Sequence, residues 1–406
     1  MRILILGAGP AGLEAAERLR ALAPRRQVFP EITMVSAEPY PPYSPPAMAD
    51  HFLTGSDERL FWKGEDVSER LGIDYRSGVA AESVDTEARR VRLADGTLLN
   101  YDELLVATGS RLYAPVDGND LEGVYNFKSL SAAEALVTRI REGEVATAVV
   151  VGAGFIGVEV ALLLQALGLS VTLIEQTTIM NQMLDGGTAR FVRDALEARG
   201  IVVRLGTVVK AFEGRDGRAL GVVTDEGAFL AADVCIAATG IKPQIDFLDG
   251  SGIACGWGIP VDETLATNRP HVWAAGDVAE TADRLTGRRY VHAIWPNAAA
   301  QGRVVAERML GYETVYEGSE IMNSLRHLGV PLIAAGEVSG DEELRAGRGD
   351  SLRTIILKDN RIVGFRLVGD VRGAGAYRSL MLRGTDVAAM RDDLLVPGFG
   401  LARLAA

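Results

Sequence analysis

Residues 2–12 read RILILGAGPAG, and residues 148–159 read AVVVGAGFIGVE. Each is an apolar run rich in β-branched residues, closed by G-x-G-x-x-G and followed by a helical period. A short apolar run ended by glycine reads as a buried strand. In the first copy the strand is residues 2–6, Gly7 to Gly12 form a turn, and a helix runs from Leu13 to Leu22. Residues 31–36 (EITMVS) are the next strand. The second copy repeats this order, with a helix through Leu167 and then SVTLIE at 170–175. The first glycines, Gly7 and Gly152, stand 145 residues apart, so the chain carries one βαβ unit twice. Strands alternating with helices predict an α/β fold.

Only a motif that follows a strand and opens a helix is informative, and both copies meet that condition. The first glycine makes a tight turn. The second lets backbone approach a pyrophosphate, and the third lets helix pack on strand. The helix N-terminus adds unpaired N–H groups and positive potential. Gly7, Gly9, Pro10, Ala11 and Gly12 are therefore candidate dinucleotide-binding residues, as are Gly152, Gly154, Ile156 and Gly157. An acid at the end of the second strand should grip the ribose. In the first copy Ser36 holds the usual place and Glu38, two residues on, is the candidate. In the second copy it is Glu175, 18 residues after Gly157. Its carboxylate can accept from both ribose hydroxyls of NADH and would repel the 2′-phosphate of NADPH. Gln176-Thr177-Thr178 offer no arginine for that phosphate, so NADH is the expected ligand.

The rest of the sequence narrows the class. A net charge of −12 argues against nucleic acid, which needs a dense basic face. The two cysteines, Cys235 and Cys255, and four scattered histidines make neither a disulfide framework nor a metal site. A reducing, cytoplasmic setting is the simplest expectation, with no signal peptide at MRILILGAG. The most apolar window, Ala153–Val171, carries Glu159 and Gln165 and reads as a buried helix rather than a membrane span. Residues 37–48 (AEPYPPYSPPAM) hold five prolines and predict an extended loop. Residues 315–406 alternate apolar runs around Asn360 and end in a helix near 374–384, a smaller α+β pattern.

Two Rossmann-type units with further glycine signals resemble the pyridine-nucleotide flavoprotein oxidoreductase superfamily. YDELLVATGS (101–110) looks like its A-T-G signal, through Ala107, Thr108 and Gly109. CIAATGIKP (235–243) looks like a second, around Gly240. TNRPHVWAAGDVAE (267–280) resembles the flavin-binding G-D signal, where Gly276 approaches FAD and Asp277 accepts from the ribityl chain. The resemblance implies two Rossmann-like three-layer domains and a small C-terminal α+β domain. Residues 1–112 and 242–314 would bind FAD, 113–241 would bind NADH, and 315–406 would be an interface or dimerisation domain.

That C-terminal part resembles the branch of nitrite reductase large subunits, rubredoxin reductases and ferredoxin reductases. There, GFIGVE lies near the nicotinamide. Phe155 is then expected to gate or line the pocket and Glu159 to contact the carboxamide, against helix packing and a solvated face as the plain alternatives. Lys128, in FKSLSAAEAL, resembles a basic position that touches FAD. Trp295 is expected close to the isoalloxazine, and His292 could reach the flavin edge.

The departures bear on mechanism. Disulfide reductases of this superfamily carry C-x4-C, and the peroxidase branch one cysteine, in the stretch that here reads YPPYSPPAMADHF. No thiol relay is available. Ser44 and Ala49 stand where ferredoxin-reductase relatives carry Arg and Lys, so the loop should pass FAD without its usual charge support. The family chemistry is hydride delivery from nicotinamide C4 to flavin N5, then single-electron transfer. The expected partner is an iron–sulfur electron carrier or subunit of ferredoxin or rubredoxin type, with flow in either direction. A homo-oligomer and a subunit of a larger oxidoreductase are both compatible. The alternatives are a peroxide-forming NADH oxidase and a redox-sensing NADH-binding flavoprotein. Arg366, Arg372, Arg378 and Arg383 are candidates for docking an acidic partner, with a solvated face as the alternative.

Overall fold

A computed structural model describes residues 1–143 and 145–400. It divides into two compact units. The first comprises Met1–Arg111, Lys128–Ser131 and Ile241–Glu320. The second comprises Leu112–Phe127, Ala132–Gly240 and the chain from Ile321 onward.

In the first unit, Arg2–Leu6 is the central strand of a five-stranded sheet. Across the sheet the order is Val272–Ala274, Glu103–Val106, Arg2–Leu6, Glu31–Val35 and Asp74–Arg76, all parallel. Ile3, Leu4, Ile5 and Leu6 are 2% exposed or less, as expected of a strand covered on both faces. The helix begins at Pro10, earlier than the sequence suggests, and ends at Leu22. Proline is tolerated there because the first turn of a helix has no use for its missing N–H. The helix Trp295–Met309 packs on it at Gly302, where a Cβ would lie 2.1 Å from the carbonyl of Ala11.

The second unit repeats the design. Thr147–Val151 is central among parallel strands Val202–Leu205, Ser170–Glu175, Val234–Ala237 and Val124–Tyr125. The helix Phe155–Ala166 follows the glycine turn. The same unit holds a five-stranded antiparallel sheet, from Met322–Leu325 to Arg361–Val368, with the helix Ala374–Leu382 against it. Its hairpin turns at Asp359 and Asn360, both with positive φ (48° and 56°), a conformation Asn and Asp tolerate best after glycine. The fold is thus α/β, two Rossmann-like domains and a smaller α+β element.

Two expectations need correcting. Residues 37–48 are not a loop throughout: a 3₁₀ turn at Pro45–Ala47 runs into a helix Met48–Thr54. Pro45 starts that turn because its fixed φ suits a helical first position. Arg366 cannot dock a partner. It is 0% exposed on the middle strand of the antiparallel sheet. Its guanidinium donates to four carbonyls, of Met183, Ala335, Gly336 and Glu337. Burial lowers its pKa to about 10. Arg372, Arg378 and Arg383 are exposed, and Arg372 pairs with Asp370 at 2.8 Å.

Candidate functional site

Gly7 stands at φ +113°, and a Cβ there would meet the Ala107 carbonyl oxygen at 2.0 Å. A Cβ on Gly12 would meet the Gly7 oxygen at 2.0 Å. These two glycines are required by the protein's own backbone. Gly9, between them, is in extended conformation (φ −71°, ψ −173°), and a Cβ there would meet nothing within 4 Å. The space in front of Gly9 is open, at the amino end of a helix whose first-turn N–H groups lack intrahelical partners.

That space belongs to a pocket within the first unit. Gly7, Gly9, Pro10 and Ala11 form its floor, with Ala107, Thr108 and Gly109 beside them. Its charged lining residues are Glu38, Lys128 and Asp277. Glu38 accepts from the Tyr43 hydroxyl (2.7 Å), the Leu130 N–H (3.0 Å) and the Ser131 hydroxyl (2.6 Å). Burial, and then Glu38, push the Tyr43 pKa well above its usual range, so Tyr43 stays a donor. Asp277 accepts from Ser110 (2.7 Å) and Lys128 (2.9 Å). Gly276 turns the chain at φ +80°, and its N–H donates to Gln301 at 2.7 Å. Thr108 holds the Gln244 carbonyl at 2.7 Å, and Gly109 accepts from the Gln244 N–H.

A dinucleotide fits this arrangement. Its lining holds two acids, Glu38 and Asp277, and a helix end whose middle glycine leaves room that a methyl would fill.

The second unit reproduces the cradle. Gly152 has φ +102°, with the Ala238 oxygen 2.4 Å from a would-be Cβ. On Gly157 a Cβ would fall 1.9 Å from the Gly152 oxygen, whereas Gly154 faces open space within 4 Å. Ile156 is half-buried. Glu175 accepts from the Ala153 N–H and from the Thr177 N–H and hydroxyl, each at 2.9 Å. Gly240 (φ +156°) follows Thr239, which donates to the Tyr113 carbonyl at 2.7 Å. Phe155 is the first residue of the helix and half-exposed. Glu159, one turn on, is not a solvated face: His327 Nδ1 lies 2.6 Å from its carboxylate.

Other candidates stand apart. Ser44 is not among the described lining residues, and its N–H bonds the Leu60 carbonyl, although Tyr43 and Pro45 do line the pocket. Trp295 packs edge-on against Trp62 at 4.7 Å, while Ala298, in the same helix, reaches the pocket. His292 is 4% exposed, with Nε2 3.5 Å from Asp283. Sequence reasoning missed Tyr43, Ser110, Ser131 and Gln301, whose partners lie 5 to 167 residues away. Cys235 is fully buried, its pKa pushed up to about 12 by burial, and neither cysteine lines the pocket. Among the described residues no group of three His, Cys, Asp or Glu could hold a metal, and no helix is long and apolar enough to cross a membrane.

Asp283 gives a pH prediction. Burial raises its pKa, but His292 and the Thr286 and Leu285 donors outweigh burial and hold it at about 2. A depressed carboxylate contributes stability that is complete above its unfolded pKa and is lost as pH falls toward the folded value. The contribution is about 2 kcal/mol, disappearing between pH ~4 and ~2. Denaturant unfolding should show Asp283→Asn less stable than the parent at pH 5, with the gap closing on acidification. A gap independent of pH would contradict the assignment.

The chain is 30% identical over 416 aligned positions to NADH-dependent phenylglyoxylate dehydrogenase subunit epsilon of Aromatoleum evansii, covering 99% of this chain and 96% of that protein. It is 31% identical to the anthranilate 1,2-dioxygenase system ferredoxin–NAD(+) reductase component of Burkholderia cepacia, covering 98% of each. The crystal structure of the ferredoxin reductase for the CYP199A2 system from Rhodopseudomonas palustris superposes with a TM-score of 0.88 at 27% identity, covering 100% of both chains. Residues 1–302 match the pyridine nucleotide-disulphide oxidoreductase family, to which this chain belongs as an FAD-dependent NAD(H) oxidoreductase of electron-transfer type.

Proposed function

We propose that this chain passes electrons between NADH and an iron–sulfur carrier or partner subunit, FAD lying in the first unit and NADH on the second. In the first, Gly7, Gly9, Pro10, Ala11 and Gly12 would present the helix end to the FAD pyrophosphate. Glu38 would hold the adenosine ribose. Gly276 and Asp277, steadied by Lys128 and Ser110, would hold the ribityl chain. In the second, Gly152, Gly154, Ile156 and Gly157 would take the NADH pyrophosphate and Glu175 its ribose, with Phe155 and Glu159 toward the nicotinamide. FAD supplies the hydride-to-single-electron conversion.

One observation carries the choice of acceptor: no described residue lining the FAD pocket is a thiol. Cys235 sits inside a strand, and Cys255 is unpaired on a loop. A two-electron disulfide exchange therefore has no protein partner, whereas a one-electron carrier needs none. The relatives named as ferredoxin reductases support the same choice. Two unpaired thiols also fit a cytoplasmic setting.

The test is a comparison of acceptors. Purified protein should reduce a ferredoxin or rubredoxin with NADH at least about tenfold faster than it consumes O₂. Rapid O₂ turnover with negligible rates for every iron–sulfur acceptor would establish an oxidase instead. Little turnover, with a change of oligomer size on adding NADH, would favour a sensor.

A further inference from the structure

Beneath the pocket lies a buried polar chain that the proposed chemistry does not use. It starts at the Gly276 N–H, which donates to Gln301 Oε1 at 2.7 Å. Gln301 is 1% exposed, and its Nε2 donates to Ser319 Oγ at 3.3 Å. Ser319, 0% exposed, is a hub: its Oγ lies 2.8 Å from Thr281 Oγ1 and 2.9 Å from the Tyr316 hydroxyl. Thr281 in turn lies 3.4 Å from His292 Nδ1, which also faces the Tyr290 carbonyl at 3.0 Å. The far side of that imidazole, Nε2, lies 3.5 Å from Asp283. Asp283 is pinned by its own loop, accepting from Leu285 and Thr286.

Gln301 is well placed to act as a fixed strut. The neighbouring Gly302 is pressed on the Ala11 carbonyl, where a Cβ would fall at 2.1 Å. Gly276 itself approaches Ala11, with 3.3 Å between its would-be Cβ and the alanine methyl. The strut therefore joins the helix at Gln301 to the Gly276 turn, both of which abut Ala11 of the glycine motif. Gly276 has no side chain to limit its own rotation; its carbonyl accepts from the Ala279 N–H within the turn, and its N–H, in the Ala275–Gly276 peptide, is held by Gln301. An amide suits the task, since it accepts from Gly276 through oxygen and donates to Ser319 through nitrogen.

We propose that Gln301 is a positioning residue for the flavin, fixing the Ala275–Gly276 peptide ahead of Asp277 through a relay anchored at Ser319 and the His292–Asp283 pair. The inference rests on the reading that Gly276 and Asp277 border FAD. The relay orders the loop before the cofactor arrives and keeps the Asp277 carboxylate turned toward the pocket.

The experiment compares Gln301→Met, Gln301→Glu and Ser319→Ala as holoproteins, with Asp277→Asn as reference. The readouts are the FAD dissociation constant, the visible flavin band and the flavin midpoint potential. Gln301→Met keeps the volume and removes the acceptor, so FAD binding should weaken about tenfold, the effect of one buried hydrogen bond, with a shift of the visible band. Gln301→Glu restores an acceptor and should recover the FAD affinity while moving the potential negative. Ser319→Ala should fall between Gln301→Met and the parent. If Gln301→Met lowers only the melting temperature while Asp277→Asn alters the flavin, the relay is packing and the inference is overturned. Equal loss of FAD in the Met and Glu variants overturns it likewise. If Asp277→Asn also leaves the flavin unchanged, the reading of the pocket fails first and the inference with it.

Discussion

A Gly154→Ala variant should fold, carry its full complement of FAD and lose NADH binding by roughly 100-fold, about 2.8 kcal/mol. The reasoning is local. Gly154 is extended at φ −69°, ψ −175°, a conformation alanine adopts freely, and its Cβ meets no protein atom within 4 Å. The protein alone gives no reason for glycine at this position. On the proposed reading the reason is the ligand: a dinucleotide pyrophosphate comes against backbone N–H groups at the helix end, and a methyl would hold it away. Gly152→Ala and Gly157→Ala should behave differently. Their methyls would enter the Ala238 and Gly152 carbonyls at 2.4 and 1.9 Å, so the expected result is loss of soluble, folded protein. Titration of NADH against FAD-loaded protein, with FAD content and melting temperature as controls, separates the two kinds of glycine. An unchanged NADH affinity in Gly154→Ala would remove the second cradle from the mechanism.

The contrast explains why the fold was legible. Within each G-x-G-x-x-G, two glycines answer to backbone within the same unit and the third faces open space, and all lie within six residues. A signal so compact survives in sequence. The A-T-G signals were also readable, and the structure gives their reason. Ala107 and Ala238 supply the carbonyls that crowd Gly7 and Gly152, so each A-T-G stretch abuts the turn of its own copy.

What was not legible depends on strand order and long-range return of the chain. Glu38 follows an ordinary strand end, but its partners Leu130 and Ser131 arrive 92 and 93 residues later. Nothing near Glu38 announces them. Arg366 alternates with apolar residues as a surface-facing arginine would. Its burial follows from its strand being the middle one of five, with a helix on the sheet, and periodicity does not encode order. Gln301 looks like any polar residue of an amphipathic helix. Its role appears only because Gly302 brings that helix onto Ala11, which sets the amide under Gly276.

The second large effect concerns which nicotinamide dinucleotide is used. Glu175 is held in place before any ligand arrives, since Ala153 and Thr177 occupy three of its acceptor positions. A carboxylate has about four, so one remains, for one ribose hydroxyl rather than the two that the sequence suggests. A 2′-phosphate in that place would set two anions roughly 4 Å apart, unfavourable by about 1 kcal/mol in water and about 4 kcal/mol at the protein surface. Gln176, Thr177 and Thr178 are exposed and add no cation. NADH should therefore exceed NADPH in kcat/KM by about 100-fold or more in the parent. Glu175→Gln keeps an oxygen for the Ala153 N–H and removes the charge, so the fold should persist and the preference should shrink about tenfold. Adding Gln176→Arg supplies a planar cation for the phosphate and should bring NADPH to parity or beyond. Steady-state kinetics with both dinucleotides decides it. A parent KM for NADPH at or below that for NADH, or a preference indifferent to the charge at position 175, would show that discrimination lies elsewhere in the chain.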